Sequence, residues 1–235
     1  VQVKFTSQGV TRFGLYSTVD LYYGTNRDTN PKHKGFSDQY TNSWESDRLE
    51  CGTCTVTVPA AIHKLGQIER PRLYKLEFHA DPDKHFTLAS LQPATEEFLE
   101  HAVGSRIKDS KEKNLFIYVH GYNNSFEDAA FAAAGLCYDL QLDGAMAFFS
   151  WPSQGGVENY LVDGNANAAS TKLFRQFLKR LVGKTGARKV TILAHSMGAR
   201  LLRTSLIGRT DLDLFGIASP VLTNIVLAHP DEQTS

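Results

Sequence analysis

Residues 191–202 read TILAHSMGARLL. The stretch before Ser196 is apolar and partly β-branched, and the stretch after it is rich in helix formers. A strand therefore gives way to a helix at a single serine. Ala194-His195-Ser196-Met197-Gly198 has the G-x-S-x-G form with alanine in the first place. The demand behind that form is steric. In so sharp a turn the residues two before and two after the serine come close together, and Ala194 and Gly198 are both small. The turn holds the serine in a strained conformation with its hydroxyl at the sheet edge. The N–H groups that open the helix then face any negative charge developing there. Ser196 is the candidate nucleophile, and the N–H of Met197 is one candidate oxyanion donor. His195 points away from the serine hydroxyl and is expected to pack against the sheet. The blander alternative is that Ser196 only caps the helix.

Three other runs have the character of this strand: NLFIYVHG (114–121), AMAFFSWP (145–152) and NIVLAHPD (224–231). Each is short and apolar on both faces, as in parallel strands covered on both sides. Helix-like segments separate them at 125–142, 167–183 and 198–208. Ser125 and Asp128 stand at capping-box spacing, and Gly183 is the expected stop of the second helix. This alternation predicts an α/β fold, a doubly wound and mostly parallel sheet with helices on both faces.

Residues 1–112 read differently. They are polar and irregular, with strand-like runs at 19–28, 51–59 and 72–80. A helix is expected over 94–107, with apolar residues at 98, 99, 102 and 103 and Thr95 as its cap. The division is thus a β-rich extension, 1–112, packed on a core, 113–235. Cys51 and Cys54 have C-x-x-C spacing but lie in a strand-like run, with Cys137 as the only other cysteine. That excludes a disulfide framework and a four-thiolate zinc site, and points to a structural role. The 25 basic and 25 acidic side chains cancel, so nucleic acid and anionic membrane are not expected partners. No apolar run approaches the ~20 residues that span a bilayer.

An acyl-transfer site needs a second backbone donor. His120-Gly121-Tyr122 follows the strand LFIYV, the place from which such a donor comes. Gly121 allows close backbone approach, the N–H of Tyr122 is the expected donor, and His120 is expected to orient the loop. Trp151 ends the next strand and is a candidate pocket wall, or else a structural residue. Asp231, at the end of the last run, is a candidate triad acid. His229 is the single histidine after Ser196. It stands too near Asp231 in the chain for the two to fill base and acid roles comfortably.

FIYVHGYNNSFEDAA, FFSWPSQG, ILAHSMGARLL and NIVLAHPD resemble, in order and spacing, the strings of the DUF900 family of bacterial α/β-hydrolases. YYGTNRD, CGTCTVTVP and HKLGQIERP resemble the extension that precedes the core in that family. The resemblance runs from about Val19 to Asp231. It implies the α/β-hydrolase fold and an esterase- or lipase-like serine hydrolase with no metal, and it names no substrate; a small-molecule or lipid-like ester is the expected substrate, and no cofactor is expected. It places the nucleophile at Ser196, the oxyanion loop at His120 to Tyr122 and a strand-end acid at Asp231. In the family the chain continues through further strands carrying another Asp and a His. The expectation is therefore a fragment cut at both ends, lacking the last strands and the catalytic histidine and inactive as it stands. The alternatives are a catalytically inactive binding or scaffold protein, or an acyltransferase using the same triad. Members often carry an export signal or lipoprotein-type start. An exported or envelope-associated location and a cytoplasmic one both stand, since the chain starts at Val1.

Overall fold

Seven residues in a row, Gly144–Ser150, are buried at every position, which only a strand with both faces covered can achieve. In the computed structural model, which describes residues 4–7, 9–44, 47–71, 79–155, 160–206 and 222–229, this strand is β7. Before it come β1 (Lys4–Ser7), β2 (Val10–Phe13), β3 (Tyr16–Thr25), β4 (Glu50–Val58), β5 (Thr87–Ala94), α1 (Glu96–Asp109), β6 (Asn114–Val119) and α2 (Phe126–Asp139). After it come α3 (Tyr160–Lys184), β8 (Lys189–His195), α4 (Met197–Leu206) and β9 (Leu222–Ala228).

The described strands form one sheet. β3, β7, β6, β8 and β9 lie side by side in that order and run parallel. β4 pairs antiparallel with β3, and β5 with β4. The first half of β3 pairs with β2 and its end, Tyr22–Thr25, pairs with Ala147–Ser150 of β7. The chain has an α/β fold built on a mixed, mostly parallel sheet.

Alternation along the strands splits the core in two. Leu115, Ile117 and Val119 of β6 and Phe149 of β7 pack on one face with Phe174, Phe177 and Leu181 of α3. Tyr118 and Phe148 pack on the other face with Phe126, Ala130 and Phe131 of α2. Each fully buried Phe or Leu removes enough apolar area to contribute about 1.5–3 kcal/mol. Among the described residues no helix is long and apolar enough to cross a membrane.

Four local expectations change. In α1 the buried line is Leu99, Val103 and Ile107, while Phe98 is 55% exposed. One helical stripe cannot hold both 98 and 99 at its centre. α3 begins at Tyr160 rather than 167, and Gly183 lies inside it. The chain leaves at Gly186, whose φ of +76° suits glycine. Among the described residues the last run is not covered on both sides: Ile225, Val226 and Leu227 of β9 are 44–46% exposed. It is a strand at the rim of the described sheet. Residues 72–78 of the predicted strand at 72–80 lie outside the described residues.

Candidate active site

β8 ends at His195 and α4 starts at Met197, so Ser196 alone makes the turn. Its φ is +50°, a left-handed value that costs a residue with a Cβ about 1–2 kcal/mol. The Ser196 N–H donates to the Ala228 carbonyl of β9 at 3.0 Å, and the Ser196 carbonyl accepts from the Ala199 N–H at 2.8 Å. The turn is thus tied to the neighbouring strand and to its own helix. Met197 is fully buried, and its carbonyl accepts from Asn167 Nδ2 of α3 at 3.0 Å.

Two glycines bring the loop after β6 against this turn. A Cβ at Gly121 would stand 2.9 Å from Ser196 Cβ and 2.7 Å from His195 Nδ1. A Cβ at Gly198 would stand 2.6 Å from the carbonyl oxygens of both Val119 and His120. The two backbones therefore meet at a distance no larger residue allows. This contact sets the first turn of α4, whose early N–H groups have no partner within the helix, against the end of β6 and the start of the loop that follows it.

His120 and Trp151 support this loop from inside. Both are fully buried. Their rings stack, with centroids 5.1 Å apart and planes 9° from parallel. Trp151 Nε1–H donates to the His120 carbonyl at 2.9 Å, and His120 Nδ1–H donates to the Gly121 carbonyl at 2.7 Å. With no exposed surface, Trp151 acts on the loop through His120 and forms no wall of an open pocket. Burial, then the nearby Arg27 charge, brings the His120 pKa down to about 3. Burial thus favours the neutral ring, whose Nδ1 proton is committed to the Gly121 carbonyl.

The other imidazoles sit elsewhere. His195 is half-buried and lines a cleft of about 330 Å³ on the α2 side, together with Ile68, Tyr118, Leu136 and Leu193. His229 is exposed, has a φ of +46°, and its ring stands 6.2 Å from that of His195. Burial and His229 together hold the His195 pKa below its ordinary value. Asp231 lies outside the described residues.

Two buried charges that sequence reasoning missed hold the loop. Arg27, 2% exposed, donates from Nε to Ser150 Oγ at 2.8 Å and from Nη2 to the Asn124 carbonyl at 2.6 Å. Asp163 of α3, fully buried, accepts from Ser153 Oγ at 2.5 Å and from the Gln154 N–H at 2.7 Å. Ser153 Oγ in turn accepts from the Asn123 N–H at 2.8 Å. Charged residues are almost never fully buried without a partner, so neither position carried a local signal. Cys51, Cys54 and Cys137 are buried free thiols. Burial pushes the Cys51 and Cys137 pKa values up to about 12 and about 11, which keeps both in the unreactive thiol form.

A model of the family described as "Alpha/beta hydrolase of unknown function (DUF900)" matches residues 95–234. No curated protein and no solved structure matches the chain.

Proposed function

We propose, from the premise that this chain belongs to the DUF900 family of α/β hydrolases, that it is a serine hydrolase of carboxylic esters with Ser196 as nucleophile. The observation that supports the reading is the backbone contact at Gly121 and Gly198, which puts the positive-φ Ser196 against the loop after β6. Ser196 Oγ attacks the ester carbonyl carbon as its proton passes to a histidine base; the intermediate collapses to an acyl-enzyme when the ester C–O bond breaks and the alcohol leaves with that proton, and water then hydrolyses the acyl-enzyme. The carbonyl oxygen gains negative charge and is held by the N–H groups of Met197 and Tyr122. Donors of this kind are worth about 10²–10³ in rate each. The close packing of Gly121 on Ser196 supports their being preset before the reaction. Asp231 is the proposed acid that orients the proton-accepting imidazole. His120 is not that imidazole, because it is buried, neutral and committed to Gly121.

The second reading is a catalytically inactive binding module on a hydrolase fold. Reaction of the full-length protein with a fluorophosphonate, which traps an activated serine, separates the two. A hydrolase is labelled, and Ser196→Ala abolishes both the label and the turnover of a short-chain p-nitrophenyl ester. Labelling that survives Ser196→Ala refutes the assignment, and an unlabelled wild-type protein favours the binding module.

A further inference from the structure

We propose that Arg27 is a positioning residue that holds the oxyanion loop, residues 120–124, in the one conformation that serves Ser196. This rests on reading Ser196 and that loop as an acyl-transfer site. The guanidinium makes four hydrogen bonds. Besides Ser150 Oγ and the Asn124 carbonyl, its Nη1 donates to Asn42 Oδ1 at 2.5 Å and to the Thr41 carbonyl at 3.2 Å. The acceptors come from three separate stretches of chain, and one of them is the far end of the oxyanion loop.

The arrangement is a poor way to gain stability. Removing a charge from water costs several kcal/mol even after relaxation, and an apolar side chain of similar volume fills such a space more cheaply. A guanidinium offers five donors in a rigid plane. That geometry suits fixing several carbonyl and hydroxyl groups at once. Burial brings its pKa down to about 9, so it stays charged at neutral pH.

The loop needs such a clamp. Asn123 sits at a φ of +56°, a conformation that a free loop abandons readily. Arg27 holds Asn124 on one side, and Asp163, through Ser153, holds the Asn123 N–H on the other. Ser150 Oγ, which accepts from Arg27, also stands 3.5 Å from His120 Nε2. The cation thus faces the ring whose Nδ1–H holds the Gly121 carbonyl, and favours its neutral form. Through Arg27 the N-terminal strands reach the proposed site without touching the substrate.

The test compares wild type with Arg27→Lys, Arg27→Gln and the milder Ser150→Ala, using two readouts. One is amide hydrogen exchange over residues 120–126. The other is fluorophosphonate labelling of Ser196, resolved into the maximal rate and the half-saturating concentration. Both Arg27 variants are expected to raise exchange in 120–126 roughly 10-fold while β6 and β8 stay protected. They are expected to lower the maximal labelling rate about 10- to 100-fold, with half-saturation within about twofold. Lysine is not expected to rescue, because it is a point charge without the fork. The proposal is overturned by unchanged loop exchange, by protection lost evenly across the sheet, or by raised loop exchange with an unchanged labelling rate. If the wild-type protein is not labelled, the acyl-transfer reading falls, and the exchange comparison still decides whether Arg27 fixes the loop. If neither Arg27 variant folds, Ser150→Ala decides: a smaller change in the same two readouts supports the clamp, and none overturns it.

Discussion

Replacing Gly198 by alanine tests the contact from which the site is built. The new Cβ would meet the Val119 and His120 carbonyl oxygens at 2.6 Å and the Val119 carbonyl carbon at 3.0 Å. All three are backbone atoms at the end of β6, so no rotamer change clears them. Ordinary contact at these atoms begins near 3.4 Å, so α4 and the end of β6 must separate by about 0.8 Å. Overpacking of this kind costs about 1–3 kcal/mol. Alanine returns at most about 1 kcal/mol through helix propensity. With that return taken in full, the net is a loss of up to about 2 kcal/mol, a melting temperature lower by up to about 8 °C for a chain of this size. The same displacement moves the Met197 N–H relative to the loop after β6, and misplacement by 1 Å costs about 100-fold. Labelling of Ser196 by a fluorophosphonate should therefore slow by about 10- to 100-fold. Gly164→Ala is the control. It is a helix glycine whose added Cβ meets, among the described residues, only Arg200 Nη1, at 3.8 Å. It should stabilise by about 0.5–1 kcal/mol and leave labelling unchanged. Thermal melts and labelling time courses on both variants decide. A Gly198→Ala protein that melts and labels like the parent refutes the reasoning.

Three further outcomes are expected. Ser125 and Asp128 form a complete capping box at the start of α2, so Ser125→Ala should cost about 1 kcal/mol, read as a shift in urea midpoint. His63 bridges Glu69 and Asp139 at 2.8 and 2.7 Å; burial disfavours its charged form, but the two carboxylates outweigh it and raise its pKa above 6.5. The stability it adds is therefore full below pH 6.5 and is lost as pH rises through the raised value. Urea midpoints measured from about pH 6 to about pH 9 should fall over that window, and His63→Gln should flatten the fall. Val226 is 44% exposed on β9, so Val226→Lys should leave the stability within about 0.5 kcal/mol of the parent and reduce aggregation on concentration, as charges on an exposed strand do.

The features legible in the chain alone belong to residues whose neighbours in sequence are also their neighbours in space. The strand-to-helix junction at Ser196, the doubly apolar β7 and the Ser125–Asp128 cap are all local patterns. Phe98 misleads because four apolar residues in α1 fit two phases of the helix, and only packing chooses 99, 103 and 107. The start of α3 is hidden because Gly164 and Asn165 are weak helix formers. Arg27 and Asp163 are invisible for a stronger reason. A charged side chain between polar neighbours reads as solvated, and the partners that bury Arg27 lie 14 to 123 residues away along the chain.

Register explains why those distant partners meet. Thr25 pairs with Ser150, and Val119 pairs with Phe149 on one side and Ala194 on the other. Ala194 pairs with Leu227, and His195 with Ala228. The parallel strands therefore end at one level. The residues just past their ends, at 26–27, 120–122, 151–153, 196–197 and 229, stand along a single edge of the sheet. The site needs no residue to reach far. Arg27 meets Ser150 because β3 and β7 finish together, and Gly121 meets Ser196 because β6 and β8 do. A slip of one residue between β6 and β8 would invert which side chains face α2 and would carry Gly121 away from the serine. The core that fixes this register, Ile117 and Val119 beside Ile192 and Ala194, is thus what aligns the proposed oxyanion donors. Large-to-small changes there should weaken the site as well as the fold.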